Sequence, residues 1–205
     1  MINYALTTKE RVKAKIDITV AGLDSVIDQM IASATSKIET MCGGRRFLET
    51  TYTNEIYDGS FMDKNSPSVP YLILKNAPVS TLTSLQYRSG TRTSPSWVDF
   101  PADNYEPMNA RGIVKVDLPS GFQNIRVTYT AGYKIDFTDE YNASKHTLPF
   151  EVSNLCEKMV IKMIKKRESE GKSQETLRDS TINWGSFIDN EDKDVITRYR
   201  RVTIV

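Results

Sequence analysis

The most reactive side chains in this sequence belong to two cysteines and one histidine. Cys42 and Cys156 fall on the apolar faces of predicted helices, whereas His146 stands in a polar stretch. A nucleophilic site would need a base beside a cysteine or serine, but the sequence has no G-x-S-x-G elbow, glycine-rich phosphate loop or H-E-x-x-H pair. We therefore predict that the protein is not an enzyme. We expect both cysteines to be small buried residues rather than redox or nucleophilic groups, and His146 to lie in a solvated loop.

Metal and cofactor chemistry is disfavoured as well. A single histidine excludes most metal sites, because these need two or more His or Cys ligands at fixed spacing. Three acidic residues, Asp99, Asp103 and Glu106, lie close together in a proline-containing loop, where we expect them to face solvent. The prediction is that the chain has no catalytic residue, no cofactor and no bound metal.

The charge of the chain limits the kinds of partner it can have. The 205 residues carry a net charge of +1, and 39% are hydrophobic and 26% charged, as in a soluble globular protein. Basic clusters at 45–46, 162–167 and 198–201 have acidic residues nearby, which disfavours sequence-specific nucleic-acid binding but leaves nonspecific contact with DNA open. Because the sequence has no bilayer-length apolar run and no secretory pattern at its start, we expect a cytoplasmic chain without membrane contact.

Two long amphipathic helices are the elements that the sequence defines best. Over residues 23–42 apolar side chains recur every three or four positions, and Gly43-Gly44 ends the pattern. Asp24 or Ser25 is suited to cap the start of this helix. A second stripe with the same period covers residues 148–168, so we expect the two helices to bury each other. The stripe residues are Leu23, Val26, Ile27, Met30, Ile31, Ala34, Ile38 and Met41 in the first helix, and Val152, Leu155, Cys156, Met159, Val160, Met163 and Ile164 in the second.

Shorter helices are predicted towards the two ends. Thr7, with Glu10 three residues later, has the pattern of a capping box and predicts a helix through about residue 15. Residues 171–186 are mostly polar, and residues 191–201 can form a last short helix. The β-prone run Val202–Val205 follows it.

Between the two long helices the pattern becomes that of β-strands. Segments rich in Thr, Tyr, Val and Ile alternate with turn-forming Gly and Pro, which predicts strands at 51–57, 71–75, 79–88, 113–118 and 124–131. The predicted fold is α+β: a helical core of two long amphipathic helices plus short terminal helices, with an inserted small antiparallel β-sheet. Residues 1–48 and 145–205 would form the helical core with its C-terminal tail, and residues 49–144 the inserted β-rich subdomain.

Three segments carry patterns that occur together, in this order, in one family. The first is an opening helix, to which Leu6-Thr7-Thr8-Lys9-Glu10-Arg11-Val12-Lys13 is similar. The second is an I-E-x-x-C-G-R-x-F pattern, which resembles Ile38-Glu39-Thr40-Met41-Cys42-Gly43-Gly44-Arg45-Arg46-Phe47 apart from one additional glycine. The third is a closing strand, V-x-Y-T-A-G-Y, similar to Val127-Thr128-Tyr129-Thr130-Ala131-Gly132-Tyr133, and Leu148-Pro149 then starts the next helix. The chain thus resembles the head–tail connector (adaptor) proteins of tailed bacteriophages, in their longer form with a β insertion. It differs at Leu177-Arg178-Asp179, where the family often has L-G-D.

The resemblance implies a structural virion protein of the neck or connector region, assembled in the host cytoplasm. Such proteins form a homo-oligomeric ring, commonly of twelve copies, beneath the portal protein. DNA passes through the lumen of the ring, close to the subunits but without specific recognition, and the lower face receives a stopper or tail protein. The main alternative is a head-closure stopper or tail-completion protein, which is usually a small β-barrel without paired helical stripes. An enzyme and a DNA-packaging or DNA-binding factor are the remaining alternatives.

The C-terminal segment is the predicted docking site for the portal protein. It combines an aromatic ring, two arginines and a β-prone end in Tyr199, Arg200, Arg201, Val202, Ile204 and Val205. Such a segment can add as a strand to the exposed sheet edge of a partner, and its arginines favour an acidic surface. The alternative is that Val202–Val205 completes the chain's own sheet.

Overall fold

The chain divides into two compact units, one containing Met1–Phe47 and Ile135–Arg201 and the other containing Leu48–Lys134. The computed structural model describes residues 4–16, 22–59, 71–91, 93–168, 174–177, 180–183 and 188–201. Within these residues the α-helices are α1 (Lys9–Ile16), α2 (Asp24–Met41), α3 (Phe150–Glu168) and α4 (Asn190–Tyr199). The strands are β1 (Thr50–Tyr57), β2 (Tyr71–Ile73), β3 (Val79–Arg88), β4 (Trp97–Asp99), β5 (Tyr105–Met108), β6 (Ile113–Val116), β7 (Ile125–Ala131), β8 (Gln174–Leu177) and β9 (Ser180–Asn183). Short 3-10 helices cover Ala102–Asn104 and Asn109–Arg111.

Helix α1 is capped one residue later than the sequence predicts. The hydroxyl of Thr8 accepts a hydrogen bond from the backbone amide of Arg11 at 3.4 Å. Thr7 is buried, and its hydroxyl donates instead to the carboxylate of Glu157 on α3. The predicted capping box of Thr7 and Glu10 is therefore wrong, because a tertiary contact takes the hydroxyl that the local pattern assigned to the helix end.

Helices α2 and α3 contact each other through their apolar stripes, as predicted. The buried residues are Ile27, Ile31, Ala34 and Ile38 on α2, and Val152, Leu155, Cys156, Met159, Val160 and Ile164 on α3. Leu23 occupies the N-cap position of α2 and makes no side-chain capping bond, so the predicted cap at Asp24 or Ser25 is wrong. Asp24 is the first helical residue, and its carboxylate pairs with Lys13 of α1. A negative charge at this position also stabilises the helix, because the N-terminal end of the helix dipole is positive.

Helix α4 begins with a complete capping box. The Asp189 carboxylate accepts from the backbone amide of Asp192 at 2.9 Å, and the Asp192 carboxylate accepts from the backbone amide of Asp189 at 3.2 Å. Asp192 is buried, and Lys162 of α3 lies 3.2 Å from its carboxylate. This ion pair joins α4 to α3. Before α4, strands β8 and β9 pair antiparallel within a segment for which the sequence predicted no regular structure.

The unit Leu48–Lys134 contains two antiparallel sheets with a hydrophobic core of their own. One sheet has the strand order β1-β7-β3-β4, and the other has the order β2-β6-β5. Strand β7 is central in the first sheet, and every second residue along it is buried. The core draws side chains from both sheets: Leu72, Leu74, Val79, Leu85, Val114, Val116, Ile125, Val127, Tyr129 and Ala131.

The predicted fold class, a helical core with an inserted small antiparallel β-sheet, is wrong. Seven strands in two sheets enclose a core that is separate from the contact of α2 with α3, so no core of long helices organises the described residues. The protein is a mixed α+β chain. Prediction missed β4 and β5 because they have three and four residues and follow or include prolines, and their strand conformation depends on pairing with β3 and β6.

A bulge in β1 places a carboxylate beside two tyrosines of this unit. The register of β1 on β7 shifts between Tyr52 and Glu55, and Asn54 within the bulge has a φ of 56°. The Glu55 carboxylate accepts hydrogen bonds from the hydroxyls of Tyr57 and Tyr129 at 2.5 and 2.7 Å. Because these polar groups form hydrogen bonds with one another, they can lie against the hydrophobic core of the unit. The bulge in β1 brings Glu55 into position for these bonds.

Candidate docking site at the end of α2

Helix α2 ends in a turn that only glycines adopt easily. The amide of Cys42 donates to the carbonyl of Ile38 at 2.9 Å, and the amide of Gly44 donates to the carbonyl of Glu39 at 2.9 Å. Gly43 and Gly44 have φ values of 79° and 73°, in the left-handed region that penalises side chains with a Cβ. The turn directs the following residues back towards α2.

Glu39 fastens this returning segment to the helix. Its carboxylate accepts hydrogen bonds from the hydroxyl of Tyr4 and, at 3.2 Å, from the backbone amide of Phe47. The amide of Phe47 also lies 3.0 Å from the Tyr4 hydroxyl oxygen. Phe47 is fully buried, so these polar groups fix the position of a hydrophobic anchor.

Arg45 joins the same segment to the end of α4. Its Nη1 donates to the backbone carbonyl of Tyr199 at 3.0 Å, and this carbonyl belongs to the negative end of the helix. The guanidinium lies 5.3 Å from the ring centroid of Phe47 and 6.0 Å from that of Tyr199. A buried cation beside two aromatic rings and a carbonyl is a specific arrangement that lysine would not reproduce.

Three of the predicted docking residues, Tyr199, Arg200 and Arg201, are described, and they lie beside the end of α2. Tyr199 is the last residue of α4, and its hydroxyl donates to the carboxylate of Glu151 on α3. Arg200 is exposed, and the amide of Arg201 donates to the carbonyl of Cys42 at 2.9 Å. The other predicted docking residues, Val202, Ile204 and Val205, lie outside the described residues. We call the set Tyr4, Glu39, Cys42, Arg45, Phe47, Tyr199 and Arg201 the α2-end cluster.

The surface beside the α2-end cluster presents exposed guanidinium groups. Arg46 is exposed and lies over the ring of Tyr4, with 5.6 Å between the guanidinium carbon and the ring centroid. Arg198 is 63% exposed and pairs with Glu151 at 2.6 Å, and Arg200 is also exposed. The surface is therefore suited to an acidic partner.

Both cysteines are buried and free, as the sequence predicted. Burial raises the pKa of the Cys42 thiol to about 11 and that of the Cys156 thiol to about 12. A thiol with so high a pKa carries almost no thiolate near neutral pH, and thiolate is the reactive form. In the α2-end cluster Cys42 thus acts as a packing residue and supplies a backbone carbonyl.

His146 is partly buried rather than solvated. Its Nδ1 accepts a hydrogen bond from the backbone amide of Asp136 at 3.1 Å, and its ring lies 5.0 Å from that of Phe137. The prediction of a solvated loop histidine is therefore wrong, because the segment before α3 folds back on itself through these contacts. The histidine has a structural role in closing this loop.

The acidic residues Asp99, Asp103 and Glu106 are exposed, as predicted, but Asp99 lies in β4 and Glu106 in β5 rather than in a loop. Asp99 accepts a hydrogen bond from the side chain of Gln86 at 2.8 Å, and Glu106 pairs with Lys115 at 3.3 Å. Exposed carboxylates with these partners form ordinary surface pairs.

Sequence reasoning missed a buried polar cluster between α1 and α3. The Glu157 carboxylate is fully buried and lies 2.8 Å from Nε of Arg11 and 2.5 Å from Nζ of Lys15. Burial by itself would raise the pKa of Glu157, but hydrogen bonds from Lys15 and Thr7 and the charge of Arg11 hold this pKa below its ordinary value. A signal existed in the sequence: Thr7, Arg11 and Lys15 recur every four residues and so share one face of a helix.

Two further findings concern the described part of the chain. No group of three or more His, Cys, Asp and Glu side chains there is arranged to hold a metal ion. No described helix combines the length and the apolar character needed to cross a membrane.

Comparison of the sequence with protein-family models found no match, and comparison with curated protein sequences found none either. The resemblance to head–tail connector proteins therefore rests on the three sequence patterns given above.

Proposed function

We propose that this chain is a head–tail connector (adaptor) subunit of a tailed bacteriophage. In this proposal it forms a ring beneath the portal protein in the virion neck, DNA passes through the ring, and a stopper or tail protein attaches to it. The observation that carries the proposal is the α2-end cluster. It joins the I-E-x-x-C-G-R-x-F-like segment to the C-terminal residues predicted to dock on the portal.

Three fixed residues of the pattern make contacts within the cluster. Glu39 accepts from the amide of Phe47, Cys42 accepts from the amide of Arg201 through its carbonyl, and Arg45 donates to the carbonyl of Tyr199. These contacts fix the position of Arg201, the residue that precedes Val202. A docking segment benefits from a rigid base, because less conformational entropy is lost when the partner binds.

The chemistry of the surface also supports a partner with acidic groups. Arg46, Arg198 and Arg200 are exposed around the cluster, and arginine forms paired hydrogen bonds with carboxylates. We therefore expect these arginines to bind an acidic surface of the portal protein. We expect the binding of this chain to the portal to weaken as the salt concentration rises.

Co-sedimentation with purified portal rings tests this proposal. Two variants are informative: deletion of Val202–Val205, which removes no residue of the α2-end cluster, and Arg200→Glu, which reverses an exposed charge. Both should lose portal binding while the melting temperature stays within about 2 °C of wild type, since surface changes usually alter stability little. Arg111→Glu is the matched control, because Arg111 is also exposed but lies in the unit Leu48–Lys134.

The outcome for wild type decides the function itself. If wild-type chain does not sediment with portal rings at any salt concentration, the connector proposal is wrong. If it sediments and both variants sediment equally well, the connector function stands but the portal docks elsewhere.

A head-closure stopper is the second candidate, and one observation favours it. The unit Leu48–Lys134 has seven strands and its own hydrophobic core. Stoppers are usually small β-barrels, so a β-rich unit of this kind is compatible with a stopper. A stopper would bind portal rings only after a connector ring has been added, and a connector would bind them directly. Adding this chain to portal rings before and after a connector ring has been added therefore separates the candidates.

A further inference from the structure

Residues 135–149, which lead into α3, form a segment whose two ends are joined through a histidine. Nδ1 of His146 accepts a hydrogen bond from the backbone amide of Asp136 at 3.1 Å, so the bond joins residues ten positions apart. The centroid of the His146 ring lies 5.0 Å from that of Phe137, and all three residues are partly buried. Within the segment, the carbonyl of Asn142 accepts from the amide of His146 at 2.8 Å. We call residues 135–149 the His146 loop.

The bond between Asp136 and His146 is possible only with a neutral ring. A neutral imidazole has one nitrogen that donates and one that accepts, so a ring whose Nδ1 accepts carries its proton on Nε2. An imidazolium carries a proton on both nitrogens, and its Nδ1 would then meet the Asp136 amide donor against donor. Histidine is the side chain that ordinarily changes its charge between about pH 5 and 8.

The charges around the ring do not compensate for the loss of this bond. The charged groups of the loop, α1 and α3 have partners of their own: Lys145 pairs with Asp139 at 3.0 Å, Arg11 of α1 with Glu140 at 2.5 Å and Glu157 at 2.8 Å, Glu151 of α3 with Arg198 at 2.6 Å, and Asp136 accepts from Thr138 at 2.6 Å. The Asp136 carboxylate attracts an imidazolium, whereas the guanidinium of Arg11, which lies 5.6 Å from the Phe137 ring, repels one. Attraction between partly exposed charges contributes little, but the lost bond leaves a partly buried amide without its acceptor. Protonation of His146 therefore opposes closure of the loop.

We propose that the His146 loop is a pH-sensitive latch, closed while the His146 ring is neutral and open once the ring has gained a proton in mildly acidic solution. Because the closed loop accepts only the neutral ring, closure is complete at higher pH and is lost as the pH falls through the range in which histidine gains its proton. Opening separates Phe137 from the ring, but α1 stays in place because Arg11 and Lys15 remain paired with Glu157. The latch is independent of the proposed function, so either can fail without the other.

Nuclear magnetic resonance of the nitrogen-15-labelled chain tests the latch. At about pH 7.5 the nitrogen shifts of His146 should show a proton on Nε2 and none on Nδ1. Between about pH 7.5 and pH 5.5 the protection factor of the Asp136 amide, which is corrected for the intrinsic effect of pH on hydrogen exchange, should fall about tenfold and follow the titration of the His146 nitrogens. The amide of Arg88, which donates to the carbonyl of Asn124 at 2.8 Å, is the internal control and should change less than about twofold.

Two substitutions separate the effect of the proton from that of the hydrogen bond. His146→Asn keeps an acceptor near the position of Nδ1 but cannot titrate, so the protection factor of the Asp136 amide should agree within about twofold at the two pH values. His146→Leu has no acceptor, so this amide should be poorly protected at both. Far-ultraviolet circular dichroism of each protein at both pH values checks that the helices stay folded.

The wild-type measurements alone can overturn the latch. An unchanged protection factor of the Asp136 amide in acid would do so, as would a proton on Nδ1 of His146 at about pH 7.5. The same acid-dependent loss of protection in His146→Asn would also overturn it, because the titrating group would then lie elsewhere. A loss in wild type that His146→Asn does not share, with His146→Leu unprotected at both pH values, supports it.

Discussion

The buried carboxylate of Glu157 on α3 accepts a hydrogen bond from the hydroxyl of Thr7 at 2.9 Å. The same carboxylate pairs with Arg11 and Lys15 of α1, so one buried acid fastens the start of the chain to α3. A buried charge of this kind is tolerated only where its partners are complete. Its removal should therefore be costly.

We predict that Glu157→Ala destabilises the protein by about 3 kcal/mol. This value is at the lower end for a broken buried ion pair, because Lys15 can turn to solvent and Arg11 keeps Glu140 as a partner. Glu157→Gln, which preserves shape and can still form hydrogen bonds, should lose about 1–2 kcal/mol. Urea unfolding followed by circular dichroism measures both changes.

The matched control for these variants is Glu106→Gln. Glu106 also pairs with a lysine, but both side chains are largely exposed, so its loss should change stability by less than about 0.5 kcal/mol. Equal destabilisation by Glu106→Gln and Glu157→Ala would show that burial of Glu157 has no energetic consequence.

A dependence on pH follows from the same carboxylate. The pKa of Glu157 is lower in the folded protein than its ordinary value of 4.5, so the folded state favours the ionised form. The resulting stability is fully present above the ordinary pKa and is lost as the pH falls below it through the folded-state pKa. We predict that wild type exceeds Glu157→Gln in stability at about pH 7 and that this difference shrinks by about pH 3.

Urea unfolding of the two proteins at both pH values measures this difference. Glu106→Gln serves again as the control, because its exposed carboxylate should give nearly the same small difference from wild type at either pH. An undiminished gap between wild type and Glu157→Gln in acid would contradict the assigned role of the ionised carboxylate.

Particular elements show how far the sequence determined the fold. Strand β3 was predicted with the bounds Val79–Arg88 that the structure has, because a proline precedes it and a glycine follows soon after it. The start of α1 was misassigned because Glu10 makes Thr7 the better cap in local pattern, whereas the distant Glu157 takes the Thr7 hydroxyl and leaves Thr8 at the helix start. Elements with strong local signals could be predicted, and those chosen by a tertiary partner could not.

The candidate site shows the same division. The glycines and the pattern from Ile38 to Phe47 drew attention to the end of α2 from sequence alone. The contacts of Arg45 with Tyr199 and of Arg201 with Cys42 join residues more than 150 positions apart, and no local pattern reports such a pairing. The arginine pair Arg45-Arg46 looked like a basic surface cluster, yet its first member is buried beside the rings of Phe47 and Tyr199.

We predict that neither native cysteine reacts readily with a thiol reagent in the folded protein. With pKa values of about 11 and about 12, the thiolate fraction of Cys42 and Cys156 at about pH 8 is on the order of one in a thousand or less, and both side chains are shielded. Labelling with a chromogenic disulfide should be complete only after unfolding in urea. Ser33→Cys, at an exposed position on α2, is the control that should label within seconds to minutes. Rapid native labelling of two thiols in wild type would show that these helices open readily.

The last prediction concerns Gly132, at the end of β7. Its φ is +116°, and a Cβ there would lie 2.6 Å from the carbonyl oxygen of Leu48 and 2.7 Å from the amide nitrogen of Glu49. Both obstacles are backbone atoms that hold a bridge, since the Glu49 amide donates to the carbonyl of Tyr133 at 2.8 Å. We therefore expect Gly132→Ala to destabilise the protein by about 3 kcal/mol, through backbone strain and the clash together.

Gly22→Ala separates these two causes. Gly22 has a nearly identical φ of +115°, but a Cβ there would meet none of the described residues within 4 Å, so only the backbone strain of about 1 kcal/mol should remain. Hydrogen exchange resolved by peptide locates the effect: Gly132→Ala should speed exchange in β1 and β7, and Gly22→Ala should leave those strands unchanged. If both variants lose the same stability and β1 stays protected in each, the close approach of Gly132 to Leu48 does not constrain this unit. A larger loss confined to β1 and β7 in Gly132→Ala would instead show that this backbone contact fixes the first strand to the sheet.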